Sequence, residues 1–278
     1  MTYDAELAFA RTVAAEAMAV AMEVYDAAGR DAAGLDVEQK DAGAGPVTEA
    51  DRRVNDLLVQ RISERFPDDG MLAEESEDDG RRMKTGRFWC IDPVDGTKEF
   101  IKRNGEFSIM IGLVDRAVGH PVVGVVCEPV AGRFLYAAKG HGAWVQGAGA
   151  QPERLAVSAR SRGPELRFIV SRSHPDAQTL TVRDELGVES MTPCGSVGLK
   201  CGRISEDKAD AYLNFGCRTS FWDTCGPEAI LYEAGGILTR LDGTRIDYFR
   251  ENSVNDYTIV ASNGVSHELI LDSCRRAS

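Results

Sequence analysis

The sequence predicts an α+β fold in which helices and sheets come in layers, with much antiparallel strand. Three observations carry this. Two helical periodicities open the chain, short β segments fill residues 106–146, and the second half alternates strand with helix.

Taken in order, residues 3–28 have the pattern of an amphipathic helix. Phe9, Val13, Ala17, Val20 and Val24 recur at steps of three or four, and Gly29 is a suitable stop. Residues 30–46, with Gly34, Gly43, Gly45 and Pro46, read as a loop. A second helix runs from about Thr48 to Phe66, with Val54, Leu58, Ile62 and Phe66 as its apolar stripe and Pro67 closing it. The short strand Met71-Leu72-Ala73 leads into Glu74-Glu75-Ser76, and residues 77–86 read as another loop. Phe88-Trp89-Cys90-Ile91 is a buried-type strand that runs directly into Asp92. The β segments Phe107–Val114, Pro121–Cys127, Phe134–Ala137 and Ala143–Gln146 are separated by Gly, Pro and Asp turns. Gly140-His141-Gly142 precedes no helix, so it is a turn and not a nucleotide loop. Strand Phe168–Ser171, a helix over Asp176–Leu186, a helical segment Ser196–Asp207 and strand Asp210–Leu213 follow. A helix opening at Trp222-Asp223 ends at Gly235-Gly236, and strand Tyr257–Ala261 and a helix near 265–274 complete the chain. With no internal repeat and no clear linker, residues 1–278 read as a single domain.

Composition sets limits. A chain of 278 residues, 43% of hydrophobic type, can bury a sizeable core. A net charge of −12 and a pI near 4.9 repel nucleic acid and anionic membranes, so neither is expected as a partner. An anionic substrate needs a local offset to that field, which bound metal cations would supply. The seven cysteines (90, 127, 194, 201, 217, 225 and 274) are odd in number and form no Cys-x-x-Cys pair. Reduced, buried thiols in a cytoplasmic protein fit this better than a disulfide framework. Asp4, Glu6 and Arg11 do not suit a signal peptide, and no apolar run approaches the ~18 residues that span a bilayer.

The segment Asp92-Pro93-Val94-Asp95-Gly96-Thr97 is the strongest chemical signal. Hard cations such as Mg²⁺ take oxygen ligands from a few carboxylates, carbonyls, water and substrate phosphate. Asp92 and Asp95, with the Val94 carbonyl between them, can be placed around one site by a single turn. Gly96 allows close backbone approach, and the Gly96 and Thr97 amides suit a phosphate oxygen if a helix starts there. The bland alternative is a solvated turn. Against it, apolar residues lead straight into Asp92, and a buried charge needs a partner or a metal. The haloacid-dehalogenase motif has one residue between its aspartates, where this chain has two. Glu74 follows a strand and can point inward, or it belongs to an acidic surface turn. Thr48-x-x-Asp51 fits a helix capping box, and Asp223 fits a helix cap.

Together these segments resemble the lithium-sensitive inositol monophosphatase superfamily over nearly the whole chain. The matching strings are Pro46-Val47-Thr48-Glu49-Ala50-Asp51, Ala73-Glu74-Glu75-Ser76, Trp89 through Thr97, Phe221-Trp222-Asp223 and Glu233-Ala234-Gly235-Gly236. The resemblance implies an αβαβα sugar-phosphatase fold and, commonly, a homodimer. It implies two to three Mg²⁺ ions: one on Glu74, Asp92 and the Val94 carbonyl, a second on Asp92, Asp95 and Asp223, and a weaker third near Glu74. Thr97, paired with Asp51, would orient and activate a metal-bound water.

Asp95-Gly96-Thr97-Lys98-Glu99-Phe100, continued to Phe107, looks like the 3'(2'),5'-bisphosphate nucleotidase branch. That branch removes the 3'-phosphate from 3'-phosphoadenosine 5'-phosphate, a by-product of sulfate activation. Gly195-Ser196-Val197-Gly198 looks like the inositol phosphatase version, and Leu199-Lys200 like the nucleotidase version, whose lysine meets the 5'-phosphate. The alternative for Lys200 is a solvated helix face. Asn214 stands where nucleotidases carry arginine and inositol enzymes glutamate, so Arg218 is expected to supply the missing charge, the alternative being an exposed loop arginine. Substrate contacts are thus expected from Gly96, Thr97, Gly195, Ser196, Lys200, Asn214 and Arg218. A phosphatase of inositol phosphate, fructose 1,6-bisphosphate or histidinol phosphate is the rival within the superfamily. A metal-binding scaffold without turnover is the rival outside it, and the complete set Asp51, Glu74, Asp92, Asp95, Thr97 and Asp223 speaks against it. Arg218→Ala is expected to raise the KM for 3'-phosphoadenosine 5'-phosphate roughly tenfold, the loss of one charge-assisted contact; an unchanged KM would remove Arg218 from the site.

Overall fold

The apolar stripes of the first two helices meet each other and a sheet. In the computed structural model, which describes residues 2–29, 36–39, 46–173, 176–216 and 219–278, helix α1 spans Asp4–Ala27 and buries Ala10, Val13, Ala14, Ala17, Ala21 and Val24. Gly29 follows with φ 71°, in the left-handed region that glycine enters freely. The expected 30–46 loop contains part of an antiparallel ribbon, β1 (Val37–Gln39) against β2 (Pro46–Thr48). Thr48 caps helix α2 (Glu49–Arg65), which buries Val54, Leu58 and Ile62.

A seven-stranded sheet follows in simple chain order. Its strands are β3 (Gly70–Ala73), β4 (Arg87–Asp95), β5 (Ser108–Asp115), β6 (His120–Glu128), β7 (Arg133–Ala138), β8 (Gly142–Gly147) and β9 (Glu153–Arg154). Only the β3–β4 pairing is parallel. A short helix, α3 (Thr97–Ile101), separates β4 from β5. Strand β4 runs four residues past the predicted Ile91. Asp92 pairs with Met110 and Asp95 with Ser108, and the register shifts between them. Such an irregularity re-aims side chains at a strand end, so two carboxylates leave the ladder near one place.

The second half builds a smaller sheet. In chain order its elements are β10 (Arg167–Ser171), α4 (Ala177–Leu186), β11 (Ser190–Cys194), α5 (Val197–Ser205), β12 (Ala211–Asn214), β13 (Thr219–Ser220), α6 (Phe221–Glu233), β14 (Ile237–Arg240), β15 (Val254–Asn255), β16 (Ile259–Ser262) and α7 (His267–Ala277). Five strands lie in the order β11-β10-β12-β16-β14, while β13 and β15 form a separate ribbon. Helices α1 and α2 cover one face of the large sheet, α5 and α6 fill the space between the sheets, and α4 and α7 cover the small sheet. The result is the αβαβα order that the resemblance implies.

Glycine sets the spacing at the centre. Gly112 of β5 and Gly124 of β6 stand opposite each other. A Cβ on Gly112 would lie 2.4 Å from Cys225 Sγ, and one on Gly124 would lie 2.2 Å from the Gly226 oxygen. On the helix, a Cβ on Gly226 would lie 2.8 Å from the Ile111 oxygen. Helix α6 therefore rests backbone on backbone against the sheet. Gly124→Ala is expected to cost about 1–3 kcal/mol, the usual price of overpacking. A urea midpoint equal to that of the parent protein would show that α6 is not seated there.

Candidate metal centre

Four acidic residues converge where β3 and β4 end and α6 begins. Asp92 and Asp95 lie in the last four residues of β4, Asp223 is in the first turn of α6, and Glu74 follows β3, its amide donating to the Ile91 oxygen at 3.1 Å. Asp92, Asp95 and Asp223 each bring a carboxylate oxygen within 4.8 Å of the others. Asp92 is 1% exposed and Asp95 8%. Burial pushes all three carboxyls above their ordinary range. Like charge adds to this: Glu74, Asp95 and Asp223 raise Asp92, while Asp95 and Glu74 raise Asp223. Against burial, Lys200, Ser196 and the Gly198 and Val197 amides pull Asp95 down. Crowded buried carboxylates of this kind call for a proton or a cation.

The protein grips each carboxylate. Asp92 Oδ1 accepts from the Val94 amide at 3.0 Å. Asp95 Oδ2 accepts from Ser196 Oγ at 2.5 Å and from the Gly198 amide at 3.0 Å. Asp223 Oδ2 accepts from the Ser220 amide at 2.5 Å. Asp51 Oδ2 accepts from the Thr48 amide at 2.8 Å and from Thr48 Oγ1 at 2.5 Å. Asp51 and Asp223 each close a capping box, so the bland expectation for both is correct. It does not displace the site. Asp51 Oδ1 accepts from Thr97 Oγ1 at 3.1 Å, and the same hydroxyl lies 3.2 Å from the Val94 oxygen. Gly96, at φ 99°, sets the turn into α3, where a Cβ would stand 3.0 Å from the Glu106 oxygen.

The expected substrate residues fare differently. Lys200 is 2% exposed, which corrects the solvated-face alternative. Helix α5 lies between two sheets, so it has no solvated face at that position. The Lys200 ammonium donates to the Gly195 carbonyl, lies 3.5 Å from the Cys194 oxygen, and stands 4.9 Å from the Tyr212 ring centroid. Burial lowers its pKa and Asp95 opposes that shift. Gly195 and Ser196 are turned inward. The Gly195 amide donates to Glu106 Oε2 at 3.0 Å, and the Ser196 amide to the Glu106 oxygen at 3.2 Å. Ser196 Oγ also accepts from the Leu199 amide at 3.0 Å and lies 2.7 Å from Ser108 Oγ. In this structure the Ser196 hydroxyl goes to Asp95 and the two amides to Glu106, so both residues brace the loop beside Asp95. Asn214 ends β12 opposite Ile259. Arg218 and Cys217 lie outside the described residues. The described cysteines are all buried free thiols.

Sequence reasoning missed three supports. Glu106 pairs with Arg172 through contacts of 2.5 and 2.6 Å. Ser108 backs Ser196. Arg82, 1% exposed within the expected 77–86 loop, donates to Asp78 at 2.7 Å and to the Arg250 and Glu251 carbonyls at 3.0 and 2.6 Å. Its guanidinium lies over Phe88 and Phe221, so it ties the segment after Glu74 to the helix that carries Asp223. Only the pairing Glu106-to-Gly195 had a local hint, since both fall in strings already singled out.

The sequence model of the inositol monophosphatase family matches residues 3–278. The 3'(2'),5'-bisphosphate nucleotidase CysQ of Escherichia coli strain K12 is 37% identical over 236 residues, covering 84% of this chain and 90% of that protein. A histidinol-phosphatase of Mycobacterium tuberculosis is 33% identical over 230 residues, 81% of this chain and 83% of that one. Among solved structures, the Thermotoga maritima IMPase superposes with a TM-score of 0.80 at 26% identity, covering 98% of this chain and 97% of that one. CysQ from Bacteroides thetaiotaomicron gives 0.77 at 28% identity, covering 94% and 98%. Ser196→Ala removes one of the two donors on Asp95 Oδ2 and is expected to weaken divalent-cation binding roughly 10-fold or more. Isothermal titration with Mg²⁺ checks this, and an unchanged dissociation constant would show that Asp95 does not depend on the hydroxyl.

Proposed function

The chain belongs to the inositol monophosphatase family, and from that premise we propose that it is a Mg²⁺-dependent 3'(2'),5'-bisphosphate nucleotidase. It would hydrolyse the 3'-phosphate of 3'-phosphoadenosine 5'-phosphate, leaving AMP and phosphate. One observation carries the chemistry: three aspartates meet within 4.8 Å beside the Thr97–Asp51 pair. The choice of ester rests on the 37% identity to CysQ and on Lys98-Glu99-Phe100 after the aspartate motif.

The donor set is all oxygen, anionic and partly dehydrated, which fits Mg²⁺. Glu74, Asp92 and the Val94 carbonyl would hold one ion, and Asp92, Asp95 and Asp223 a second. A weaker third would sit near Glu74. When bound, such ions polarise the phosphoryl group and offset its charge. The chain's own groups do the rest. Thr97 Oγ1 accepts a proton from the attacking water as it passes its own to Asp51 Oδ1. Burial raises the Asp51 pKa, while the Thr48 and Thr97 hydrogen bonds oppose this; Asp51 is the carboxylate that the geometry offers to the Thr97 hydroxyl as proton acceptor. The new P–O bond forms as the ester P–O bond breaks, the departing 3'-oxygen takes up a proton from solvent water, and Asp51 returns its proton to solvent, which closes the balance. The Gly96 and Thr97 amides at the start of α3 are placed to donate to a phosphate oxygen.

A second substrate is favoured by a specific observation. The histidinol-phosphatase relative covers almost as much of the chain, and Lys200 is buried. A monophosphate ester needs no second phosphate contact, so histidinol phosphate or inositol phosphate is that alternative. No described helix is long and apolar enough to cross a membrane; location in the cytoplasm and assembly as a homodimer belong to this proposal. The test is a panel of phosphate esters assayed with Mg²⁺, with EDTA, and with and without lithium. Phosphate release from 3'-phosphoadenosine 5'-phosphate, lost in EDTA and restored by Mg²⁺, is expected. Release from inositol 1-phosphate or histidinol phosphate alone would reverse the order. Asp95→Asn is expected to lower turnover more than ~100-fold with an unchanged circular dichroism spectrum; retained activity would break the ligand assignment.

A further inference from the structure

The loop that carries Ser196 is held from both halves of the chain at one point. It joins β11 to α5, and its Gly195 lies against Glu106, two residues before β5. A Cβ on Gly195 would stand 2.3 Å from the Glu106 oxygen and 2.7 Å from Glu99 Cγ, so the loop backbone rests directly on the segment between α3 and β5. There the Glu106 oxygen accepts from the Ser196 amide, and Glu106 Oε2 accepts from the Gly195 amide. The same carboxylate meets Arg172, just past β10 of the small sheet, through Nε to Oε2 at 2.5 Å and Nη2 to Oε1 at 2.6 Å. Arg172 Nη2 also donates to the Pro193 oxygen at 2.9 Å, and the Arg172 amide donates to the Cys194 oxygen at 3.0 Å. Next to it, the Ser173 hydroxyl donates to Glu99. Four successive residues, 193 to 196, are thus held by Glu106 and Arg172. The Ser196 hydroxyl at the end of that run donates to Asp95 Oδ2 at 2.5 Å.

We propose that Glu106, with Arg172 behind it, is a positioning residue for Asp95. The pair fixes the loop that aims the Ser196 hydroxyl, and through that hydroxyl it sets the affinity of the centre for a divalent cation without touching substrate. This rests on the metal-site reading given above. The two side chains are 38% and 26% exposed, for Arg172 and Glu106 in turn, and an ion pair that open to water adds little to stability. A two-pronged arginine–carboxylate pair does fix direction. Both carboxylate oxygens of Glu106 are engaged by protein donors, and a carboxylate repels a phosphate ester. Removing the Glu106 side chain spares the backbone bond from the Ser196 amide, so the fold stays nearly as stable. It frees the Gly195 amide and the Arg172 side chain together, so the loop turns and Asp95 loosens. Residues that orient a metal ligand from behind change metal affinity by roughly 10- to 100-fold.

The experiment uses the full chain with Glu106→Ala and Arg172→Gln, each made alone and together with Ser196→Ala. Mg²⁺ binding is measured without substrate by isothermal titration, and Tm is measured in EDTA. The KM for 3'-phosphoadenosine 5'-phosphate is measured at saturating Mg²⁺. Each single variant is expected to bind Mg²⁺ about tenfold more weakly, to lose no more than about 3 °C in Tm, and to keep KM within twofold. Added to Ser196→Ala, the same changes are expected to weaken Mg²⁺ binding by less than about twofold further, because the hydroxyl through which they act is already gone. A full tenfold loss on top of Ser196→Ala would show that the pair does not act through Ser196 and would overturn the inference. Unchanged Mg²⁺ affinity in the single variants overturns it too. So does a tenfold rise in KM with Mg²⁺ affinity unchanged, which would make the pair a substrate contact. Should Glu106→Ala fail to fold, Arg172→Gln decides the matter alone. A parent protein that binds no Mg²⁺ at all overturns the metal-site reading and this inference with it, a result distinct from the others.

Discussion

The contact between helix α6 and the large sheet governs the distance between Asp223 and the two aspartates of β4. Asp92 and Asp95 arrive from the first half of the chain and Asp223 from the second. No covalent link holds them together. What brings them near is a seam in which Gly112 and Gly124 have no side chains to keep the helix off the sheet, and Gly226 on the helix has none either. Backbone meets backbone, so the separation cannot be adjusted by a change of rotamer. Arg82 reinforces the seam from one end, pinned between Phe88 of the sheet and Phe221 of the helix.

Closeness alone would drive the carboxylates apart. The fold answers with directed donors. The Val94 amide, the Ser196 hydroxyl, the Gly198 amide and the Ser220 amide each hold a carboxylate from the protein side. Each donor belongs to an element fixed by something else: the bulged end of β4, the N-terminus of α5, the first turn of α6. The cluster keeps its geometry while remaining a poor home for unbalanced negative charge, and that combination suits a cation-binding centre.

Much of this was legible in the sequence, for reasons that can be stated residue by residue. Helices α1 and α2 each bury a single stripe, so their periodicity survived. Strands β5 to β8 are bounded by turn residues and were found to within a residue or two. Strand β11 was missed because it is an exposed edge whose Pro193 and polar side chains follow no alternation. The extension of β4 past Ile91 was hidden by the very aspartates that make the site. At the centre, Asp51, Glu74, Asp92, Asp95 and Asp223 were legible because each sits in a short ordered string. Lys200 was legible as a cation, but its burial was not, since that depends on a second sheet closing over α5. The Arg172–Glu106 pair spans 66 residues of chain and leaves no local trace.

The double use of Asp51 and Asp223 has one more consequence. Each closes the first turn of its helix through one oxygen, and the Asp51 side chain faces Thr97 through the other. Fraying of α2 or α6 at its start is therefore the same event as dismantling the centre, and it needs no unfolding of the core. The lifetime of the assembled centre is set by local opening of two helix ends, which amide hydrogen exchange at Thr48 and Ser220 would report directly. A ligand that gathers the carboxylates would slow exchange at both amides together, although they lie 172 residues apart in the chain.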